Sequence, residues 1–278
     1  MTRFVRNAVL AALAVATVLA VGCAQEAEPT LEPKIAPPAV ATEGVLKAGV
    51  DLSMPPFAGT DQGKQAGIDV DVATALAERL GLKIEIVDVK PSEAATAVAD
   101  GSVDVVLSVP LASSDLSRLT LAGSYIANAP AFFIKAQESV EPSLTLSTVK
   151  ARAIGVQTES ESYWLVRQQL DEDTAQPFAT LREALEALDR GEAEVVAGDA
   201  LVGAYIARDL PEVRFAGQLA GGAPLAVAVA AENTALADAV RAELDAMAAD
   251  GVLSTIRRTW VGELPEIVVE ENVAPATP

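Results

Sequence analysis

Residues 67–81 read GIDVDVATALAERLG. Between Ile68 and Leu80 the apolar side chains Val72, Ala73, Leu76 and Leu80 return at the three- and four-residue steps that gather them on one face of a helix. Gly81 stands where helices commonly stop. Working outward, Val45 to Asp51 is a strand-like apolar run that Pro55 and Pro56 break into a loop, and Lys83 to Val87 is a second such run. Ser92 to Asp100 reads as a helix ended by Gly101, and Val103 to Leu107 as a short apolar strand. Strand, helix, strand, helix, strand is the βαβαβ unit of an α/β sheet.

The pattern restarts near Ala153. A strand to Val156 precedes a helix from Ser160 to Leu170, and a second helix, Leu181 to Arg190, turns Leu181, Leu185 and Leu188 inward before Gly191. A strand from Glu194 to Ala197 and a helix from Asp199 follow. Pro224 to Ala230 is strand-like, and Ala235 to Ala249 is a helix with Leu236, Val240, Leu244 and Met247 on one face. Two α/β lobes account for this repetition most economically.

Charge and missing residue types narrow the chemistry. The 278 residues carry 39 acidic and 20 basic side chains, a net charge of −19. Nucleic acid and anionic lipid are poor partners for such a surface. The chain has no histidine, so a Ser-His-Asp relay, an imidazole base and a His-ligated zinc are excluded. No cofactor or metal is expected. The one cysteine, Cys23, ends a leader with Arg3 and Arg6 near its start and an apolar run from Ala8 to Ala20. That run of about 13 residues is too short to span a bilayer and reads as a signal peptide over residues 1–22. A cysteine placed there resembles the lipobox of bacterial lipoproteins, which implies acylation of Cys23 and an extracytoplasmic, lipid-anchored chain. Ala20 occupies the place where that motif prefers Leu. Residues 23–42, rich in Pro, Glu and small residues, read as a semi-rigid tether. From Glu26 to Glu43, at about 3.1 Å per residue, it would reach roughly 60 Å. Residues 264–278 read as a disordered tail.

Six stretches carry a resemblance: GVLKAGVDLSMPPF, GIDVDVATALAERLG, VADGSVDVV, AIGVQTESES, GEAEVVAGDALVGAY and ADGVLSTIRRTWVG. In this order over residues 43–263 they resemble bacterial extracellular solute-binding proteins of family 3, the substrate-capturing components of ABC importers. The resemblance implies an α/β, two-lobed periplasmic-binding-protein-like (type II) clamshell with two interlobe crossings, at Pro130 to Ile134 and Pro224 to Ala230. Lobe 1 would comprise 43–130 and 226–263, and lobe 2 131–225. It further implies a monomer that takes a small-molecule solute and docks on an ABC permease.

Pocket positions carry over one at a time. The family's carboxylate-gripping arginine, in a Thr-x-x-Arg segment, falls on Asp115, which reverses the sign of what can be held. Arg118 is a candidate substitute; the competing reading is a surface i, i+3 pair with Asp115. Pro110 offers no amide hydrogen, which leaves Ser108, Ser113 and Ser114 as donors. Met54 and Pro91 stand where family members often present aromatics, and Phe57 is either a contact or a core residue. Asp199 aligns with the carboxylate that receives the ligand's amino group, and would equally serve as a helix N-cap. Asp51 aligns with an acidic residue that meets a distal positive group; its alternative is an Asx contact within its own loop. Ser160 aligns with a hydroxyl donor, with Glu159 crowding it.

An acidic cleft demands a cation or shifted pKa values. The expected function is therefore capture of a small polar solute, cationic or amine-bearing, by a non-enzymatic lipoprotein. Two alternatives stand beside it: a non-transporting sensing or docking homologue, and an enzyme resembling cyclohexadienyl dehydratases.

Overall fold

The computed structural model describes residues 32–110, 116–136, 143–150, 152–170 and 172–269. From the N-terminal side, β1 (Val45–Val50) leads to a small hairpin, β2 (Gly59–Asp61) and β3 (Lys64–Ala66), then α1 (Ile68–Arg79), β4 (Lys83–Asp88), α2 (Ala94–Ala99), β5 (Val105–Pro110) and β6 (Leu119–Asn128). The chain continues with β7 (Pro130–Lys135), α3 (Leu146–Val149), β8 (Ile154–Gln157), α4 (Glu161–Gln169), β9 (Ala175–Phe178), α5 (Leu181–Arg190), β10 (Val195–Asp199), α6 (Ala200–Ala207) and β11 (Val213–Gln218). It ends with β12 (Ala223–Ala230), α7 (Thr234–Ala249) and α8 (Val252–Val261).

Two five-stranded sheets result, in the orders β4-β1-β5-β12-β6 and β11-β7-β10-β8-β9. Within the first, β4, β1 and β5 run parallel while β12 opposes β5 and β6. In the second, β10, β8 and β9 are parallel and β7 is antiparallel to β10. The helices cover the sheets with the faces their periodicity marks: Val72, Ala73 and Leu76 of α1, Leu181, Leu185 and Leu188 of α5, and Leu236, Val240, Leu244 and Met247 of α7 are all buried.

Three expectations need correction, and one strand is added to them. The crossings lie just before the segments assigned to them: Ala129 joins β6 to β7, and Leu219 to Gly222 join β11 to β12, so Pro130–Lys135 and Ala223–Ala230 are full sheet strands. The second crossing starts against β7, the Leu219 amide donating to the Pro130 carbonyl at 2.9 Å. Strand β6 had no counterpart in the sequence reading, because Thr120, Gly123, Ser124 and Asn128 dilute its apolar signal.

The tail is not wholly free. The Gly222 amide donates to the Val268 carbonyl (2.8 Å), Gln218 exchanges hydrogen bonds with the Val268 backbone, and Val269 bridges Gly222. Residues 267–269 thus lie along the second crossing.

Nor is all of 23–42 a tether. Val40 is fully buried, and the Ala41 and Lys47 amides donate to the two oxygens of the buried Asp104 at 2.7 and 2.8 Å. Asn233 donates to the Ala39 carbonyl and Lys34 pairs with Glu243. Residues 33–42 are strapped to lobe 1 by contacts with residues far away in sequence. Cys23 lies outside the described residues. Asp104→Ala would leave two amides without their acceptor, a loss of about 2 kcal/mol in urea unfolding, with earlier proteolysis ahead of Val45.

Helix α8 braces both lobes. Trp260 donates its indole N–H to Asp71 of α1 (2.7 Å), its ring lies 6.3 Å from Tyr205 of α6, and Arg208 donates to its carbonyl.

Candidate functional site

The parallel strands β4, β1 and β5 end on one side of the first sheet, where open α/β sheets offer a crevice. A cavity of about 380 Å³ sits there. Val50, Val89, Leu107, Val109, Leu119 and Leu225 supply much of its apolar wall, and Asp51, Asp69, Ser108, Asn128 and Asp199 its polar groups. Lobe 1 forms nearly all of it; Asp199 is the contribution of lobe 2 among the described residues.

Sheet register places Asp51. Val50 pairs with Asp88 across β1 and β4, so the chains leave the sheet side by side, and Lys90 Nζ comes 2.6 Å from Asp51 Oδ1. Ser53 donates to the same oxygen through its hydroxyl and its amide. Lys90 and then Ser53 hold the Asp51 carboxyl down at about 2. Asp51 therefore lines the cavity, but with its charge matched by a lysine that sequence reasoning missed. The loop contact to Ser53 considered as an alternative for Asp51 is also present. Met54 lines the cavity half exposed, and Phe57 lines it while buried in the lobe 1 core, combining both readings.

Beneath the cavity lies a buried polar cluster. Opposite β12 the β5 strand carries a bulge, with the register moving from Val106 against Ala228 to Val109 against Ala226, and Ser108 takes φ 55°. The bulge removes Ser108 from the regular ladder. Its amide donates instead to the Tyr125 hydroxyl (2.9 Å), and its hydroxyl donates to Asp69 Oδ2 (2.7 Å). Tyr125 donates to the other oxygen of Asp69. Asp69 is 1 % exposed. No cation faces it among the described residues, and burial pushes its carboxyl up to about 6 against the hydroxyl donors that favour ionisation. Tyr125 is held above its ordinary range by burial and by Asp69. The sequence reading passed over Asp69, since an aspartate in the first turn of an amphipathic helix reads as a solvated dipole partner.

Asp199 closes β10 and caps α6. Its Oδ1 accepts from the Val202 amide at 2.8 Å, and Asn128 donates to its other oxygen while accepting from the Leu201 amide. Burial, the leading cause, raises its pKa. The cap reading holds, and the carboxylate lines the cavity as well.

Two other candidates are not brought there. Arg118 is exposed, its guanidinium 3.5 Å from the Thr96 hydroxyl on the outer side of α2, and it is not among the lining residues. Ser160 caps α4, accepting from the Tyr163 amide and donating to the Gln157 carbonyl, and is not among the lining residues. Asp115 lies outside the described residues. Among these residues no histidine, cysteine or carboxylate group is clustered for a metal ion, and no helix is long and apolar enough to cross a membrane.

The model of bacterial extracellular solute-binding proteins, family 3, matches residues 46–263. The chain belongs to this family. Its membership makes the chain an extracytoplasmic binder of small molecules. An ancestral cationic amino acid solute-binding protein superposes with a TM-score of 0.68 at 23% identity, over 78% of this chain and 96% of that one. The L-cystine solute receptor of Neisseria gonorrhoeae, unliganded and open, gives 0.70 at 19% identity, over 82% and 95%. At these identities the likeness establishes the fold. The virulence sensor protein BvgS of Bordetella bronchiseptica is 28% identical over 236 residues, 80% of this chain. The match spans about a fifth of that sensor's length, 18%.

Proposed function

We propose that this family 3 protein captures a small cationic or amine-bearing solute in its cleft and passes it to an ABC permease, held at the membrane by a lipid on Cys23. The observation that carries the solute class is the cavity's charge. Asp69 and Asp199 face it without a neutralising cation among the described residues, and Asp51 adds a carboxylate already paired with Lys90. Buried carboxylates without counter-charge favour a ligand that supplies it. Because 33–42 pack on lobe 1, those residues add nothing to the reach expected of a tether. The role is capture rather than chemistry.

A thermal-shift screen of the chain carrying Cys23→Ser, against polyamines, betaines, basic amino acids and glutamate, tests this. At a hundredfold excess over Kd a cationic ligand should stabilise the fold by about 2.7 kcal/mol, a rise of about 8 °C. A response to glutamate with silence to every cation would sink the assignment.

The similarity to BvgS favours a second reading, the same capture reported to a signalling partner. Uptake assays separate the two: a transport component loses solute accumulation when the gene is deleted, whereas a sensor loses only the response.

A further inference from the structure

Two properties of the cavity constrain the rest of the solute. First, no lysine or arginine lines it among the described residues. The internal stretches outside those residues, LASSD at 111–115, QESVEP at 137–142, Ala151 and Asp171, contain none either. The basic residues flanking the lining in sequence, Lys90 and Arg118, are turned to Asp51 and Thr96. A ligand carboxylate entering here would meet carboxylates and hydrocarbon, with Ser108 and Asn128 already donating to Asp69 and Asp199, and the desolvated anion would lack a cationic partner. Second, the wall is aliphatic. A long polar chain with several donors would lose its hydration against Val50, Val89, Leu107, Val109, Leu119 and Leu225 without compensation.

We infer that the solute is a small amine with an apolar body and no carboxylate, its ammonium received at Asp199 and its hydrocarbon held by the aliphatic wall of lobe 1. This rests on the capture reading and narrows it. Asp199 is the better placed acceptor because it is partly exposed whereas Asp69 is buried beneath Ser108. Its oxygens accept from Val202 and Asn128, with the Leu201 amide also close, and the four lone-pair sites of a carboxylate leave room for an ammonium. Asp69 acts from below as a second negative charge, and Ser108, donating inward to it, turns its own oxygen into an acceptor.

The experiment is calorimetry on the chain carrying Cys23→Ser with four probes: isoamylamine, leucine, isoamyl alcohol and putrescine. Leucine adds a carboxylate to the isoamylamine skeleton, the alcohol removes its charge, and putrescine removes its apolar end. Isoamylamine is expected to bind at least tenfold tighter than the other three. Affinity should rise about fourfold per methylene from propylamine to pentylamine. Asp199→Asn, which keeps an efficient helix cap, should retain the wild-type circular dichroism spectrum and weaken isoamylamine at least tenfold. Leucine binding as tightly as isoamylamine overturns the inference while capture stands. Putrescine binding more tightly overturns the apolar body but keeps the cation. Silence to every amine overturns the inference, and the wider screen then decides capture separately.

Discussion

Asp69→Asn is expected to raise the melting temperature of the ligand-free protein at pH 7 by about 6 °C. Asp69 sits 1 % exposed between two neutral hydroxyls, and burial lifts its carboxyl from an ordinary 3.8 to about 6. Between those values the folded protein holds a proton that the unfolded chain has released, so this group's contribution to stability is full below about pH 4 and is lost as pH rises through about 6. The gap corresponds to about 3 kcal/mol at neutral pH. Asparagine removes the buried charge and keeps the shape, and the Ser108 hydroxyl can turn to accept from its amide. Allowing for that rearrangement, about 2 kcal/mol should be recovered, or about 6 °C for a folded region of this size. The signature is the pH dependence. The variant should melt about 3 °C below wild type at pH 4, where only the cost of rearrangement acts, and about 6 °C above it by pH 7. A difference that does not change with pH would show that Asp69 carries no penalised charge. The same substitution should weaken cation capture, as expected where stability is given up for a site.

The contrast between Asp69 and α1 shows what the sequence could disclose. Periodicity placed Val72, Ala73 and Leu76 on the buried face because that face repeats along one helix. Asp69 is buried by a different cause, a serine 39 residues on and a tyrosine 56 residues on, brought to it by the sheet. No local pattern encodes that meeting. Lys90 and Asp51 are similar: each was readable as a charge, but their pairing depends on the register between β1 and β4. Asp51, Ser108 and Asp199, which the family resemblance set at the ends of β1, β5 and β10, are among the residues lining the cavity. Arg118, exposed with its guanidinium near Thr96, and Ser160, which caps α4, are not among them. The Pro-rich 33–42 segment misled for the reverse reason. Its composition is that of a linker, yet Asp104 and Asn233 supply tertiary acceptors and donors that composition does not reveal.

Gly67→Ala should cost more than any other single methyl group placed near the site. Gly67 holds φ 145° and ψ 171°, outside the range a side chain tolerates, which alone costs about 1–3 kcal/mol. A Cβ there would also stand 2.2 Å from the Phe57 carbonyl oxygen and 2.7 Å from the Ala58 Cα, both backbone atoms. The chain cannot yield cheaply, since the Ile68 and Asp69 amides donate to the Pro56 and Phe57 carbonyls at 2.9 and 2.8 Å. These two bonds tie the start of α1 to the loop that carries Met54 and Phe57. Relieving the clash separates them, so Asp69, Met54 and Phe57 all shift at the cavity. A loss of about 4 kcal/mol in urea unfolding is expected, together with loss of ligand response. Gly63→Ala is the control. Gly63, at the tip of the β2–β3 hairpin, has φ 79° but open space around it, so it should cost about 1 kcal/mol and leave binding intact. Equal costs for the two would mean that backbone conformation, and not the contact between α1 and the loop, sets the requirement for glycine at 67. A large cost at Gly67 alone ties the stability of lobe 1 to the same junction that shapes the cavity.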